Sequence, residues 1–341
     1  MSSFNPNSCM GLEPVPSKEG SWKMAQKTLI VGIDVSKDKL DVAIRSVEAA
    51  STFGNNAKGH RERLRWLAEH DVGKAVMEAT AGYEMACRKF LMKAGLEVVV
   101  VDPKRVRHFA KSAGRLAKND AIDAQMIAWF GEVFDDLTGK PQDDEREQLE
   151  HLVTARRALV RLQEKVDNWA RHERPKLVHK VYQALVKVLT TQLDRLDDAI
   201  ARQIESSPRF AERAEIIHSV PGFRDVSAAG LIAFLPELGR VDRQAVAALL
   251  GVAPFDDDSG QHRGRRVIVG GRRKLRNLLY MPLVGAATRH NRVLMAHYQQ
   301  LLARGKKPKV ALMACMRKLI GILNTMLARG EKWDPTKHAI A

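Results

Sequence analysis

The chain has 341 residues, of which 45% are hydrophobic and 28% charged, and its formal net charge is +16. This hydrophobic fraction excludes a disordered chain, and the length predicts two or three domains. The excess of Lys and Arg favours a polyanionic partner such as nucleic acid, because cations placed on phosphates release counterions.

The cysteines and the apolar runs argue against a zinc protein, a membrane protein and a secreted protein. Cys9, Cys87 and Cys315 lie far apart, so no pair has the spacing of zinc ligands. No apolar run is expected to cross a membrane, and Met1–Ala25 lacks the apolar centre of a signal peptide. We therefore predict a reduced, cytoplasmic protein with no membrane partner and a flexible extension over residues 1–26.

The first half of the chain predicts an α/β domain over residues 27–140. Apolar, β-rich segments come first and then alternate with helical periodicity, which predicts a mixed sheet. The predicted strands are Thr28–Asp34, Asp41–Ile44, a short segment near Ser51–Gly54, Lys74–Glu78 and Glu97–Val101. The predicted helices are Lys58–His70, Tyr83–Ala94 and helical sequence that ends at about Phe130.

A polar segment, Pro141–Asp144, marks the next boundary. Glu145–Ser206 alternates charged residues with Leu and Val, and Pro175 divides it into two helices. This pattern predicts an antiparallel helical hairpin or coiled coil over residues 141–210 that serves dimerisation or spacing. A mainly helical C-terminal domain over residues 211–330 and a tail over 331–341 follow.

A Pro-Gly turn opens the C-terminal region. Val220-Pro221-Gly222-Phe223 lies between two apolar helical stretches, and a second pair of helices is predicted around Pro236–Leu250. Such a segment is either a helix-hairpin-helix, whose backbone N–H groups hold a DNA phosphate, or an ordinary helix connection. The sequence leaves both interpretations open.

The most basic stretch is Gly251–Tyr280, which has no acidic residue after Asp258. Charges of a single sign favour phosphate contact over a solvated surface, and interleaved glycines indicate loops or short strands. A second basic turn precedes the predicted helix Pro308–Leu327. The candidate nucleic-acid-binding residues are Arg263, Arg265, Arg266, Arg272, Arg273, Lys274, Arg276, Lys306 and Lys307.

Four carboxylates form the candidate catalytic site. Asp34 and Glu78 end two predicted strands, and Asp120 and Asp123 share one helix face at positions i and i+3. Any one of them alone has a structural explanation, as a turn cap or part of a solvated face. A set of convergent acids instead predicts Mg²⁺, with Mn²⁺ as a substitute, and two ions about 4 Å apart would flank a scissile phosphate.

The order of these acids resembles that of the RNase H-like (RuvC-like) nuclease fold. The motifs around them, together with blocks in the C-terminal half, resemble the DEDD transposases of the IS110 family (IS1111-like), which are bridge-RNA-guided recombinases. The N-terminal motifs are Gly32-Ile33-Asp34-Val35-Ser36-Lys37, Met77-Glu78-Ala79-Thr80 and Lys118-Asn119-Asp120-Ala121-Ile122-Asp123. The C-terminal blocks include Val220-Pro221-Gly222, Ser259-Gly260, Gly270-Gly271-Arg272 and Arg317-Lys318-Leu319.

The resemblance implies a role for each of these groups. Asp34, Glu78, Asp120 and Asp123 would be the metal ligands, and Ser259 the nucleophile that forms a covalent phosphoserine. The implied partners are donor and target DNA, a bridge RNA and further copies of the chain, as dimers that assemble into a tetramer at the bacterial nucleoid. The acids of Asp256–Asp258 depart from the family pattern, and the sequence leaves their role and that of His262 open.

Two alternative functions stay open at this point. One is a Mg²⁺-dependent, RuvC-like structure-specific nuclease in which Ser259 is only structural and no covalent intermediate forms. The other is a basic architectural or RNA-binding protein that has kept a degenerate nuclease fold. Covalent protein–DNA adducts distinguish the first alternative from a recombinase, and dependence of activity on Mg²⁺ distinguishes the second.

Overall fold

The structure is a computed structural model, which describes residues 29–114, 120–134, 137, 143–172, 174–255, 258–259, 262–263 and 267–338. The side chains of residues 120–122, 258–259, 262–263 and 338 lie outside this description. The chain divides into two compact units, residues 1–142 and 143–341.

The first unit is built on a five-stranded sheet with the order β3-β2-β1-β4-β5. β1 pairs antiparallel with β2, and β2 with β3, whereas β4 runs parallel to β1 and to β5. The predicted mixed sheet is therefore confirmed. Its strands are β1 (Leu29–Val35), β2 (Lys39–Ile44), β3 (Ala49–Gly54), β4 (Val72–Glu78) and β5 (Glu97–Val101).

Helices cover both faces of this sheet. On one face, Leu67 and Leu91 join a core with Ile33 and Met77. On the other face, Ile127 and Phe130 pack with Val76, Val99 and Val101. The helices are α1 (Ala57–Ala68) and α2 (Glu84–Lys93) on the first face, and α3 (Pro103–Ser112) and α4 (Asp120–Val133) on the second; a 3-10 turn spans Arg45–Val47.

Close contact between β1 and α4 fixes the second face. A Cβ atom placed on Gly32 would lie 2.1 Å from the Ala124 carbonyl oxygen and 2.3 Å from the Ala128 nitrogen. No side chain fits in that space, so glycine lets the helix backbone rest directly on the strand. Gly131, further along α4, makes a second close approach, because a Cβ atom placed on it would lie 2.7 Å from the Val76 Cγ2 atom.

The second unit is almost entirely helical in its described residues, as predicted. One core runs through it from the base of the α5–α6 hairpin to the last long helix. The helices are α5 (Asp144–Ala170), α6 (Lys176–Glu205), α7 (Pro208–His218), α8 (Asp225–Phe234), α9 (Arg243–Leu250), α10 (Arg273–Gly285), a π-helical segment (Ala286–His290), α11 (Arg292–Ala303), α12 (Pro308–Arg329) and α13 (Pro335–His338). The strands are β6 (Pro254–Phe255), β7 (Asp258–Ser259), β8 (His262–Arg263) and β9 (Val267–Ile268).

The predicted helical hairpin is confirmed, with α5 and α6 separated at Pro175. Its base belongs to the core of the second unit, because Leu149 and Ile204 pack in the same cluster as α7 to α12. Asp143 caps α5 by accepting a hydrogen bond from the Arg146 backbone nitrogen at 3.0 Å, and it pairs with Arg209. The predicted domain boundaries at residues 26, 140, 210 and 330 stay predictions.

The predicted second pair of helices around Pro236–Leu250 is wrong, since α9 is the one helix there. Residues 236–240 form turns, in which Gly239 has a φ of +83°. Asn324 of α12 stabilises these turns: its amide oxygen accepts from the Gly239 nitrogen and its amide nitrogen donates to the Val241 carbonyl, both at 2.7 Å. Those backbone groups are thus satisfied without a helix.

The apolar helix α12 was not expected from the sequence to approach the length of a membrane span. Among the described residues it is the one helix that is long and apolar enough to cross a membrane. Cys315, Leu319 and Leu323 are buried in the core of the second unit, where the central helix of a folded domain has the same composition.

The contact between Gly32 and α4 gives a stability prediction. Gly32→Ala should lower the free energy of unfolding of the first unit by about 3 kcal/mol, because a methyl group would overlap the α4 backbone. Chemical denaturation followed by circular dichroism measures the loss. Val133→Ala on the exposed side of the same helix is the matched control and should change stability by less than about 0.5 kcal/mol. Equal stability of both variants would contradict the close packing.

Candidate functional site

The sheet brings three carboxylates into one transverse row. Asp34 lies directly opposite Asp41 in the β1–β2 ladder, and Asp41 lies opposite Thr52 in β3. On the other side, the β1–β4 register pairs Ile33 with Met77, so Glu78 follows at the level of Asp34. Residues at the same level of a sheet share one face, and the row therefore gathers these acids on neighbouring strands.

The row faces α4. Gly32, two residues before Asp34, contacts the backbone of α4 at Ala124. Val76, two residues before Glu78, lies on the same face as Gly131 of α4. Because side chains alternate along a strand, Asp34 and Glu78 lie on this helix-covered face.

The N-terminal turns of α4 carry the other two predicted ligands. Asp123 immediately precedes Ala124, the residue whose carbonyl approaches β1. The backbone of Asp120 begins α4 one turn earlier, but its side chain lies outside the described residues. The fold thus brings the strand ends and the start of this helix to the same sheet face, and the convergence of the four acids on a metal stays a prediction.

The chemistry of this donor set fits a hard divalent cation, since carboxylate oxygens are the ligands that Mg²⁺ prefers. Like charges directly opposite one another destabilise a sheet unless a cation or hydrogen bonds compensate them. Asp34, Glu78 and Asp123 each interact with other groups of the protein. Among the side chains that the structure describes, no three His, Cys, Asp or Glu residues form a metal-binding group. The metal assignment therefore stays a prediction.

Asp41 is a member of the row that the sequence prediction missed. Its side chain is only 9% exposed, accepts a hydrogen bond from the Thr52 hydroxyl at 2.6 Å and pairs with the Lys39 ammonium group at 3.1 Å. A signal was available: an acid stands inside the apolar run Leu40–Ile44, at an alternating position that shares the Asp34 face. Asp41 is held by Thr52 and Lys39.

Ser259 lies on a short hairpin of the second unit. Its backbone pairs with His262, and Asp258 pairs with Arg263, in the β7–β8 ladder. A second ladder, β6–β9, flanks this hairpin in the chain and pairs Phe255 with Val267. The predicted short strands are confirmed, while the roles of Ser259 and His262 stay predictions. Asp256, Asp257, Arg265 and Arg266 lie outside the described residues.

Two of the predicted nucleic-acid-binding arginines have partners inside the protein. Arg272 forms a bidentate ion pair with Glu237 at 2.5 and 2.6 Å and donates to the Phe234 carbonyl at 2.9 Å. Arg276 donates to the Gly251 carbonyl at 2.7 Å and to the Gly270 carbonyl at 3.2 Å. Both side chains therefore stabilise the base of the Ser259 segment, and their contact with nucleic acid stays a prediction.

Other predicted basic residues lie at the surface. Arg273 and Lys274 are exposed in the first turn of α10, and Lys306 and Lys307 are exposed in the turn before α12. An exposed cation at such a turn can reach a phosphate without breaking an internal contact. These four residues stay the best described candidates for nucleic-acid contact.

A further cationic cluster was not singled out from the sequence. Arg243 crosses α12 at Gly321, where an added Cβ would lie 2.7 Å from its Nε atom. Burial lowers the pKa of His297, and the neighbouring cations Lys318 and Arg304 lower it further. Burial also lowers the pKa of Lys318, and Arg243 adds to that effect. Positive charge is therefore concentrated where α9, α11 and α12 meet.

The Pro-Gly segment forms the turn between α7 and α8. Gly222 has a φ of +95°, and a Cβ there would lie 2.9 Å from the Ala286 Cβ, so the turn packs on the π-helical segment. Val220 and Phe223 on either side are buried. The Pro-Gly segment thus connects two helices, and the helix-hairpin-helix and the ordinary helix connection both stay open.

Comparisons with known proteins relate the chain to transposases. The family model for DEDD transposases of the IS110 type, described as "Transposase", matches residues 31–172, and a model described as "Transposase IS116/IS110/IS902 family" matches residues 214–299. The chain is 24% identical over 319 residues to the pilin gene-inverting proteins of Moraxella bovis and Moraxella lacunata, which covers 90% of this chain and 98% of each relative. It is 34% identical over 160 residues to the "Insertion element IS116 uncharacterized 44.8 kDa protein" of Streptomyces clavuligerus, across 44% of this chain and 39% of that relative.

Adjacent arginines at the start of α10 give a matched pair of predictions. Arg272→Ala should destabilise the second unit by about 2 kcal/mol, because it removes a bidentate ion pair and leaves the Phe234 carbonyl without its donor. Arg273→Ala should leave the melting temperature unchanged but weaken nucleic-acid binding and flatten its salt dependence by about 0.7–0.9 in log–log slope. Thermal melts and binding titrations at several salt concentrations measure both effects. The reverse pattern would contradict the division between structural and nucleic-acid-binding arginines.

Proposed function

Because the chain belongs to the IS110 family of transposases, we propose that it cuts and rejoins DNA with a serine nucleophile and a divalent cation. Membership of this family makes it an enzyme that acts on DNA. The observation that carries the proposal is the transverse row, in which Asp34 and Glu78 lie on adjacent strands beneath α4. We further propose that the first unit has an RNase H-like (RuvC-like) fold, which its strand order and antiparallel-then-parallel pairing support.

The carboxylates of Asp34, Glu78, Asp120 and Asp123 would hold Mg²⁺, with Mn²⁺ as a substitute. When bound, the cation would lower the barrier by stabilising negative charge on the phosphate oxygens. The protein would contribute the position of these ligands. The β1–β4 pairing places Asp34 and Glu78 on adjacent strands, and the Gly32 contact sets the distance of α4 from the sheet. Such an arrangement orients the ligands before the substrate arrives.

Ser259 would supply the attacking oxygen. Its hydroxyl oxygen forms a bond to a phosphorus atom of the DNA strand while the bond from that phosphorus to the 3′ oxygen breaks. The serine proton is lost and the departing 3′ oxygen gains one, so the products are a 5′-phosphoserine and a free 3′-hydroxyl. One phosphodiester has replaced another, and the strand can be resealed without ATP.

The inverting relatives favour rejoining over simple hydrolysis. Two relatives aligned over 90% of this chain are named for the inversion of a pilin gene. An inverted segment must be joined to its flanks again, which a hydrolysed strand cannot do without a ligase. The alternative function, a Mg²⁺-dependent nuclease without a covalent intermediate, lacks this step.

The proposed partners are donor DNA, target DNA and a bridge RNA. The RNA rests on family membership, while the formal charge of +16 supports polyanionic partners in general. The exposed cations at the starts of α10 and α12 lie on the unit that carries Ser259. They are suited to hold the nucleic-acid backbone.

We also propose that the α5–α6 hairpin joins copies of the chain into dimers, which assemble into a tetramer. Leu177, Val181, Leu185 and Val188 recur every three or four residues along α6 and are 39–74% exposed. This spacing forms one apolar stripe on the helix, the pattern by which helices pair. The occupant is the hairpin of a second copy, since an identical stripe is complementary to itself across a twofold axis.

The chemistry is tested on denaturing gels with end-labelled DNA, the RNA and Mg²⁺. Wild-type protein should give a slow, protease-sensitive covalent band. Ser259→Ala should bind DNA normally but give neither adduct nor recombinant, because the attacking oxygen is gone. Asp34→Ala, Glu78→Ala, Asp120→Ala and Asp123→Ala should each abolish cleavage while the circular dichroism spectrum is retained.

Three outcomes of these gels contradict the proposal or a part of it. An adduct formed by Ser259→Ala would show that another residue attacks the phosphate. Cleavage without an adduct by both wild-type and Ser259→Ala protein would establish the nuclease alternative. Near-normal cleavage by two of the carboxylate variants would exclude the metal assignment.

The dimer is tested by a charge placed on the stripe. Leu177→Lys combined with Val181→Lys should convert dimers to monomers in sedimentation equilibrium, because two ammonium groups per chain would be buried against their copies. Gln183→Lys adds one ammonium group at an exposed position off the stripe and should leave the mass unchanged. A dimer that survives the double substitution would show that the stripe is not the interface.

A further inference from the structure

Asn55, the first residue after β3, connects the loops that follow two of the proposed ligands. Its side-chain nitrogen donates hydrogen bonds to the Ser36 carbonyl at 2.9 Å and to the Tyr83 carbonyl at 3.2 Å. Ser36 follows Asp34 by two residues, and Tyr83 ends the loop after Glu78. We infer that Asn55 is a positioning residue that fixes the separation of the Asp34 and Glu78 carboxylates, an inference that rests on the proposed function.

The strand pairing alone leaves these carboxylates weakly fixed relative to each other. The register pairs between β1 and β4 end at Ile33 and Met77, one residue before each acid. Beyond that point, each chain is held by its other neighbour: Val35 pairs with Leu40, and Glu78 with Val101. The β1–β4 register pairs therefore stop short of both acids and do not themselves set the separation of the two side chains. The Asn55 amide connects the two chain segments again after Asp34 and Glu78.

Hydrogen bonds within each loop tie it to itself, so a constraint from one amide acts on the whole loop. In the first loop, the Ser36 hydroxyl donates to the Lys39 carbonyl at 2.8 Å. In the second, the Glu84 carboxylate accepts from the Thr80 nitrogen at 2.9 Å and the Gly82 nitrogen at 3.0 Å. Ala81 between them has a φ of +52°, a conformation that costs energy in a non-glycine residue and persists where its surroundings enforce it.

Asn55 acts through its nitrogen. Its amide oxygen is buried and has no hydrogen-bond partner among the described residues, while both amide hydrogens are used. Its backbone nitrogen also donates to the Asp38 carbonyl at 3.0 Å, which holds the residue against the first loop. An Asp at this position would have nearly the same shape but would face two carbonyl oxygens with an acceptor, so it separates the role of the nitrogen from that of the oxygen.

Two measurements on the full chain without nucleic acid test the inference. Mn²⁺ binding is measured by isothermal titration calorimetry, and amide hydrogen exchange of residues 36–38 and 80–83 is measured on metal-free protein. Asn55→Ala and Asn55→Asp should each weaken Mn²⁺ binding 10- to 100-fold, the range found when groups that orient metal ligands are lost. Exchange should become faster in both loops at once, because a single donor joins them.

The neighbouring residue provides the matched control. Asn56 caps α1, and its amide oxygen accepts from the Lys58 and Gly59 nitrogens at 3.0 Å. Asn56→Ala should lower the melting temperature but leave Mn²⁺ affinity and the exchange of both loops unchanged. All measurements are made below the melting temperature of the least stable variant, so that unfolding does not imitate the effect.

Failure of this inference differs from failure of the proposed metal site. If Asn55→Asp binds Mn²⁺ as tightly as wild type, the amide nitrogen does not position the ligands and the inference is wrong. If wild-type protein binds no Mn²⁺, or Asp34→Ala binds it equally well, the proposed metal site is wrong instead. Hydrogen exchange on metal-free protein then still decides the connection: unchanged exchange in Asn55→Ala overturns it, and faster exchange in both loops supports it.

Discussion

The first unit depends on a single steric constraint, the direct contact between the backbone of α4 and β1 at Gly32. Because the Ala124 carbonyl would lie 2.1 Å from a Cβ at that position, no other residue lets the helix come so close. The contact sets the distance between the strand-end acids and the start of α4. It also explains why this helix bears alanine and glycine, at Ala128 and Gly131, where it meets the sheet. Small residues here let the helix backbone rest directly on the sheet.

The second unit meets a related problem with a different solution. Gly251 and Gly271 approach so closely that a Cβ on Gly271 would lie 2.2 Å from the Gly251 Cα. Where the two glycines meet, Arg276 donates hydrogen bonds to the Gly251 and Gly270 carbonyls. Arg272, the next residue after Gly271, forms an ion pair with Glu237. The short ladders that carry Ser259 therefore begin and end at one fixed point, although their strands are two residues long. The sequence predicted that Arg272 and Arg276 contact phosphate, and in the structure both bind groups of the protein at the base of this loop.

These particulars explain how far the sequence alone could reach. The sheet and the order of Asp34, Glu78 and Asp123 were predictable because strand alternation and helix periodicity are local signals. Asp41 was missed because its neighbour across the ladder is known only once β1 and β2 are paired in register. The helix expected near Pro236 failed for a similar reason, since the donors and acceptors of that turn are satisfied by Asn324, which is distant in sequence. Composition likewise could not separate Arg272 from Arg273, because only folding shows which one faces a carboxylate.

The two units thus place charge by opposite means. In the first, Asp34, Asp41 and Glu78 lie at one level of the sheet through backbone pairing, on the face that α4 covers at Gly32. A cation bound at the proposed site would stabilise the folded unit through its binding energy. In the second, Arg272 is paired with Glu237, while exposed cations lie at the start of α10 (Arg273, Lys274) and just before α12 (Lys306, Lys307). Cations at a helix N-terminus are unfavourable to the helix itself. Their retention there is explained if a polyanion occupies those turns, since backbone N–H groups and side-chain cations then act on the same phosphate.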